Sequence, residues 1–470
     1  MIDSDELSAR RRDAAARIKR MNEQMADIER TLAEKNKQLE HVLSDMHEAE
    51  STISFLERDR LTGLYTSPGF LRRAKRFVRD NPGEVYDAIV FEVNGFRQVN
   101  EVFGRRAGDE LLRSLAQFIT GMECASRSLF GRVGTSTFFV FSPAECHMGE
   151  ALHVQAGNYL ARYPLPLYLQ LSIGVCLGGD LSVSPEEECN RARLAFESLG
   201  DEHGRIAYYD VSMLEESLKR HQILEGVSSA IENGELRLYL QSKVDMRTHE
   251  VIGAEALVRW EHPTLGFLTP ADFIPTLEKE NRVFAVDRYI FEESCRVQKE
   301  RRDKGLPMLP ISVNMARSDF YEPDVFDVLQ KLLSRYGLDP SAIRIEVIER
   351  AYAQDTGPLP GVLSELRKSG FVIEMDDFGT GESSLSMLAD AEVDVLKLDR
   401  GFVRESVSNE RRLSVIDSVI QLADNLGMEV IAEGVENCQQ ECQLLSLGCR
   451  YAQGYYYAKP RPAVYFLDAQ

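Results

Sequence analysis

Polar residues recur at the ends of short apolar, β-branched runs throughout the second half of the chain. Glu255 follows Val251-Ile252-Gly253-Ala254, Asn314 follows Ile311-Ser312-Val313, and Glu346 ends Ile343-Arg344-Ile345. Asp376 and Asp377 close Val372-Ile373-Glu374-Met375, and Lys397 lies in Val393-Asp394-Val395-Leu396-Lys397-Leu398. Glu433 follows Val430-Ile431-Ala432, and Gln453 ends the series. Stretches with helical patterning separate the runs. The pattern predicts a closed parallel βα barrel, where strand ends on one face converge and functional groups collect. About five or six carboxylates around one mouth cannot all stay ionised without cations, so the composition predicts a site for Mg²⁺ or Mn²⁺, one ion or two.

A chain of 470 residues with 44% apolar content is long enough for two or three ordinary globular domains. Its formal charge of −20 argues against general affinity for DNA or anionic membranes, since no basic surplus offsets phosphate repulsion. An anionic ligand would therefore need metals and a few local Arg or Lys side chains. No window approaches a membrane span and the N-terminus is polar and acidic, so a cytoplasmic protein is expected. Cys438 and Cys442 sit four apart in a helical stretch, with Cys449 further on and no His at zinc-ligand spacing; they read as reduced thiols.

Three segments are expected. Residues 1–58 read as a coiled-coil helix, because the positions Ile18, Met21, Met25, Ile28, Leu32, Lys35, Leu39, Val42, Met46, Ala49, Ile53 and Leu56 alternate spacings of three and four. A sustained 3.5-residue period specifies a supercoil, and its apolar stripe needs a partner, which predicts a parallel homodimer. Lys35 on the seam would favour one register. Residues 59–211 read as an α/β domain with strands at 88–93, 137–141 and 167–175 and one helix from Val99 to about Met122. Residues 212–470 have the length of a single barrel. The step into it, residues 213–233, is helical with no Pro- or Gly-rich linker, which predicts a stiff connection.

In the second segment, Asp59-Arg60-Leu61-Thr62-Gly63-Leu64, Asn94-Gly95-Phe96-Arg97, Phe103-Gly104, Gly108-Asp109-Glu110-Leu111-Leu112 and Ser172-Ile173-Gly174 together resemble the GGDEF domain of diguanylate cyclases. That family makes cyclic di-GMP with acidic side chains that hold Mg²⁺ and GTP. Its signature pentapeptide falls here on Gly134-Thr135-Ser136-Thr137-Phe138, without the signature acids, and its paired aspartates fall on Glu92 and Asn94. The family's inhibitory Arg-x-x-Asp falls on Ala125-Ser126-Arg127-Ser128. The resemblance thus implies a degenerate domain with no cyclase activity, left either as a GTP-binding regulator or as a connector.

In the third segment, Tyr239-Leu240-Gln241-Ser242-Lys243-Val244, Glu255-Ala256-Leu257-Val258-Arg259-Trp260, Ser312-Val313-Asn314 and Glu346-Val347-Ile348-Glu349 resemble an EAL-domain cyclic di-GMP phosphodiesterase. So do Asp376-Asp377-Phe378-Gly379-Thr380-Gly381, Leu396-Lys397-Leu398-Asp399, Ala432-Glu433-Gly434-Val435-Glu436 and Gln453-Gly454-Tyr455, in that order. The resemblance implies a TIM-like (β/α)8 barrel that hydrolyses cyclic di-GMP to linear 5′-pGpG. Glu255, Asn314, Glu346 and Asp376 would coordinate one Mg²⁺ or Mn²⁺, and Asp376, Asp377 and Glu433 a second. Two such ions can clamp the attacking and leaving oxygens of an in-line displacement. Lys397 would orient water and offset phosphoryl charge, and Glu433 is the candidate proton acceptor, with Glu255 also at the reacting centre. Gln241, Leu257, Arg259 and Gln453 would contact substrate, while Glu349, Glu436 and Asp399 would support the site. Ser242, Ala316, Ile348 and Glu382 depart from the family pattern; none is an expected ligand. The alternatives are a barrel that binds cyclic di-GMP without cutting it, and a scaffold in which both domains are vestigial.

Overall fold

The computed structural model describes residues 57–467, apart from 180–181, 201, 354–356, 380–387, 389–390 and 407–408, together with positions between 17 and 42 of which 30–39 are continuously helical. Of the expected seam, Ile18, Ile28, Met46, Ala49, Ile53 and Leu56 lie outside the described residues, as does Glu382. Met21, Met25, Leu32, Leu39 and Val42 are helical and each more than half exposed in the single chain. Among the described residues no helix is long and apolar enough to cross a membrane. The chain divides between Ser217 and Leu218 into two compact units, and the helix Val211–Glu232 contains that division.

The first unit is built on five strands: β1 (Tyr86–Asn94), β2 (Leu129–Arg132), β3 (Thr137–Pro143), β4 (Gln170–Cys176) and β5 (Ile206–Tyr208), in the order β2-β3-β1-β4-β5. The central strand β1 pairs antiparallel with both β3 and β4. Its residues Ala88 to Phe91 are almost fully buried, as β-branched and aromatic side chains covered on both faces must be. The single helix expected from Val99 to Met122 is instead two, Phe96–Phe103 and Arg105–Thr120. Gly104 between them has φ 82°, a left-handed conformation that interrupts the i→i−4 ladder and that glycine adopts without strain.

The second unit contains β6 (Leu236–Asp245), β7 (Val251–His262), β8 (Gly266–Leu268), β9 (Ile311–Asn314), β10 (Ile343–Ile348), β11 (Val372–Phe378), β12 (Val395–Leu398), β13 (Glu429–Ala432), β14 (Tyr451–Gln453) and β15 (Arg461–Pro462). Strands β7, β9, β10, β11, β12, β13 and β14 run parallel in sequence order, and β6 closes the ring by pairing with both β7 and β14. Closure removes exposed edges and makes the sheet a barrel. One strand departs from the all-parallel expectation. β6 is antiparallel to both neighbours, because only Met246 to Glu250 join it to β7, and a connection that short permits a hairpin but not a crossover.

Helices supply the outer layer, and their starts are legible. Thr269 and Asp272 form a capping box on Pro270–Lys279, Asn409 caps Glu410–Asn425, and Asn437 caps Cys438–Ser446. Apolar strand residues such as Ile345, Val347, Ile373, Met375, Leu396 and Leu398 are buried, and Trp260 packs edge-on against Phe273 at 5.4 Å. Each such side chain contributes about 1.5–3 kcal/mol by leaving water, which fixes the strands that carry the polar residues.

Candidate active site

Parallel register brings the polar strand residues to common levels. Asn314 on β9 is paired with Glu346 on β10, which is paired with Glu374 on β11; Gln241 on β6 lies opposite Glu255 on β7. The carboxylates of Glu255, Glu346 and Asp376 offer oxygens within 4.8 Å of one another, and so do those of Asp376, Asp377 and Glu433. The two groups share Asp376. Asn314 Nδ2 donates to Glu255 Oε1 at 3.2 Å, which holds its amide against the first group.

Lys397 stands among these acids with no solvent exposure. Its Nζ lies 2.8 Å from Glu433 Oε1, 3.0 Å from Asp376 Oδ1, 3.1 Å from Glu346 Oε1 and 3.8 Å from Glu255 Oε2. Burial alone would pull its proton off, but Asp376, Glu255, Glu346 and Glu433 outweigh burial and hold the ammonium well above the usual lysine range. A second buried lysine, Lys243 on β6, reaches Ser312 Oγ at 2.6 Å, Glu346 Oε1 at 2.8 Å and Glu374 Oε2 at 2.5 Å. Arg344 Nη1 takes Glu374 Oε1 at 3.0 Å. Burial would raise Glu374, but Lys243, a hydrogen bond with Glu346, and Arg344 overcome it and hold the carboxyl well below its usual range.

Among the described residues, Glu255, Glu346, Glu374, Asp376 and Glu433 face the cations Lys243, Arg344 and Lys397, so acids are in excess. The imbalance shows in proton affinity. Burial pushes Glu433 up to about 8 despite Lys397, although 17% of its side chain reaches solvent, and burial with the neighbouring Asp376 pushes Asp377 up to about 6. Glu346 Oε2 is buried with no hydrogen-bond donor among the described residues. A buried carboxylate oxygen without a donor, among hard oxygen ligands carrying excess negative charge, fits a divalent cation of the Mg²⁺ or Mn²⁺ kind.

Beside the acids lies a cavity of about 180 Å³, lined by Gln241, Glu255, Leu257, Arg400, Glu433, Gly434, Glu436, Gln453, Gly454 and Tyr455. Gln453 Nε2 donates to Gln241 Oε1 at 3.1 Å and to Glu255 Oε2, while Gln241 Nε2 donates to the carbonyl of Ala458 at 3.0 Å. Gln453 Oε1 is buried with no hydrogen-bond partner among the described residues.

Family profiles match this architecture in two blocks. The EAL domain profile matches residues 225–460 and the diguanylate cyclase GGDEF domain profile matches residues 56–205. The chain belongs to the EAL-domain family, with a GGDEF domain ahead of the EAL domain. An uncharacterized protein of Mycobacterium tuberculosis is 31% identical over 426 residues, which are 88% of this chain and 68% of that protein. The bifunctional diguanylate cyclase/cyclic di-GMP phosphodiesterase MucR of Pseudomonas aeruginosa is 30% identical over 385 residues, 80% of this chain but 56% of MucR. The solved MucR phosphodiesterase in its c-di-GMP complex is 34% identical with a TM-score of 0.50, covering 52% of this chain and 99% of that one.

Within the EAL domain the remaining expected residues take distinct positions. Arg259 Nη1 donates to the carbonyl of Val258 at 2.8 Å, its guanidinium sits 5.6 Å from the centre of the Tyr239 ring, and Tyr455 and Glu255 of the cavity lining lie close enough to act on its charge. Glu349 Oε2 accepts from the amide of Gly379 at 3.1 Å, just past Asp377, whose φ of 58° turns the chain there. Asp399 Oδ1 accepts from the amides of Gly401 and Phe402 and so caps the helix Arg400–Ser406, and its charge adds to burial and to that of Asp376 in raising Asp377. Glu436 lines the cavity, and its amide donates to Gln440 Oε1 at 2.6 Å.

Sequence reasoning gave no role to Lys243, Glu374, Arg344 or Arg400. A period-two signal was available for the first pair: Gln241, Lys243 and Asp245 share a strand face, as do Glu374 and Asp376. A charged residue on the same face as a candidate ligand points inward with it.

Proposed function

We propose that the EAL domain is a divalent-metal-dependent cyclic di-GMP phosphodiesterase that opens one ring phosphodiester to give linear 5′-pGpG. The observation that carries this reading is the acid cluster itself: Glu255, Glu346 and Asp376 on adjoining strand ends, shared with Asp377 and Glu433, with an unpaired buried oxygen on Glu346 and a cavity alongside. Glu255, Asn314, Glu346 and Asp376 would hold one Mg²⁺ or Mn²⁺, and Asp376, Asp377 and Glu433 the other. Bound there, such ions supply Lewis-acid activation of water and charge neutralisation at phosphorus.

The protein's own groups do the rest. Lys397 carries a fixed positive charge that offsets the charge gathering on the phosphoryl oxygens, and it costs no reorganisation because four carboxylates already hold it. Glu433, at the cavity wall and 2.8 Å from the Lys397 ammonium, would take the proton from water. Gln241 and Gln453 orient Glu255 and offer amide edges to a guanine or a phosphate at the cavity wall. Arg400, in the same lining, adds a cation for an anionic ligand.

We infer further that the GGDEF domain does not make cyclic di-GMP. Glu92 Oε1 accepts from Ser136 Oγ at 2.6 Å, Asn94 Oδ1 accepts from Ser172 Oγ at 2.7 Å, and Asn94 Nδ2 contacts His203 Nδ1 at 3.0 Å. Of this pair only Glu92 is an acid, and Ser136, Ser172 and His203 engage both side chains where a cyclase needs two metal-binding acids. The solvent-facing seam at Met21, Met25, Leu32, Leu39 and Val42 supports dimerisation through the N-terminal helix of a cytoplasmic protein.

Incubation of the full chain with cyclic di-GMP and Mg²⁺, with pGpG followed by chromatography, tests the proposal. Glu255→Gln should lower turnover at least a hundredfold, which is about 2.7 kcal/mol of transition-state stabilisation. Tight binding of cyclic di-GMP with no product from the unmodified protein would make it a receptor instead.

A further inference from the structure

Of the eight free cysteines, Cys438 and Cys442 are the two exposed ones. They stand one turn apart at the start of the helix Cys438–Ser446, and their sulfurs lie 3.8 Å from each other. Two thiolates bound about 2.3 Å from one tetrahedral ion are themselves about 3.8 Å apart, so the pair already spans one edge of such a site. Cys438 is the first residue of the helix, which Asn437 caps by accepting from the amide of Gln440 at 3.0 Å. Cys442 keeps its proton more tightly because it hydrogen-bonds Cys438, which describes two sulfurs sharing a proton. The Tyr456 phenol lies close enough to Cys438 to be held above the usual tyrosine range, which puts a further oxygen beside the pair.

We propose that Cys438 and Cys442 form a soft-cation site, separate from the acid cluster, that takes one thiophilic divalent ion of the Zn²⁺ or Cd²⁺ class on both sulfurs and passes its occupancy to the cavity rim. On binding, two S–H bonds give way to two sulfur–metal bonds and two protons leave to solvent; water fills the remaining positions. The acid cluster offers hard oxygens and the cysteine pair offers soft sulfur, so the two sites select different ions. The link to the rim is short. Gln440, within the turn that the two sulfurs bracket, accepts the amide hydrogen of Glu436 at 2.6 Å, and Glu433, Gly434 and Glu436 line the cavity. Tyr456 directly follows Tyr455, which lines the same wall. An ion clamping that first turn fixes the segment from which the rim hangs.

Titration of the full chain with Cd²⁺ under saturating Mg²⁺ tests the site, read by the ultraviolet charge-transfer absorbance that sulfur ligands give and oxygen ligands do not. Wild type should bind one Cd²⁺ per chain with this absorbance, and Cys438→Ser and Cys442→Ser should each weaken it at least tenfold. Cys146→Ser should leave it unchanged. An absent band, or one that persists in the double serine variant, overturns the site. Amide hydrogen exchange over residues 433–437 tests the link: Cd²⁺ should increase protection severalfold in wild type and leave the double serine variant unaltered. Equal exchange in both overturns the coupling. Neither readout uses turnover, so both are decided independently of the phosphodiesterase reading.

Discussion

Lys243→Met removes the ammonium that three buried groups share while keeping a side chain of similar length. In the native barrel that ammonium lies 2.8 Å from Glu346 Oε1 and 2.5 Å from Glu374 Oε2, and both carboxylates are fully buried. Removing one member of a buried ion pair typically costs about 3–5 kcal/mol, because the stranded charge has no water to return to. Here each acid keeps a second cation, Lys397 at 3.1 Å for Glu346 and Arg344 at 3.0 Å for Glu374, which argues for the lower end. The expected loss is therefore about 3 kcal/mol, or about 6–12 °C in the melting temperature of a unit this size. Urea denaturation followed by far-ultraviolet circular dichroism measures it directly. Adding Glu374→Gln to the variant relieves one stranded charge, so the double variant should be more stable than the sum of the single effects by about 1–3 kcal/mol. Strict additivity, or a single-variant loss under about 1 kcal/mol, would refute the claim that Lys243 neutralises the floor of the acid cluster.

Three further outcomes are expected. Lys397→Met should reduce pGpG formation by about a hundred- to a thousandfold in steady-state assays at saturating Mg²⁺, since it deletes a preorganised charge at the reacting centre. Gly434→Ala should damage the cavity: Gly434 has φ 65°, and an added Cβ would stand 2.0 Å from Arg400 Cγ, so Arg400 must move and the KM for cyclic di-GMP should rise severalfold. Asp319 lies beside Asp287, both accepting from the amide of Ala316, and burial pushes Asp319 up to about 6. Its raised folded pKa means that the native state prefers it protonated; its ionisation costs nothing below about pH 4, and the cost grows up to about pH 6 and is complete above. Asp319→Asn, which mimics the protonated form, should then stabilise the domain by about 1–3 kcal/mol at pH 7 and have little effect at pH 4, measured by denaturant midpoints at both values.

Much of the barrel and most of its acid ring could be read from the chain, because apolar β-branched runs ending in Glu255, Glu346, Asp376 and Glu433 encode both the strand and the level at which it ends. The reversed direction of β6 was not legible from strand patterning, which has the same period of two whichever way a strand runs; the short Met246 to Glu250 connection was the available cue. Lys243 went unassigned for a related reason: in isolation a lysine reads as surface, and only pairing with Glu346 and Glu374 across other strands reveals it as buried. The break at Gly104 was visible as a glycine, but the apolar spacing on either side is compatible with one continuous helix.

The stave β6 has to wait for its second neighbour. It is made early in the EAL domain and zips to β7 at once through a local hairpin, yet its other flank meets β14 only after roughly 200 further residues have been synthesised, a separation that slows folding. Until then that flank is an unhooped edge with free amides and carbonyls. A ribosome stalled late in this gene would therefore hold an open, sticky sheet in which Glu255 and Lys243 have no partners, and a chain cut before Tyr451 should aggregate rather than survive as a smaller barrel.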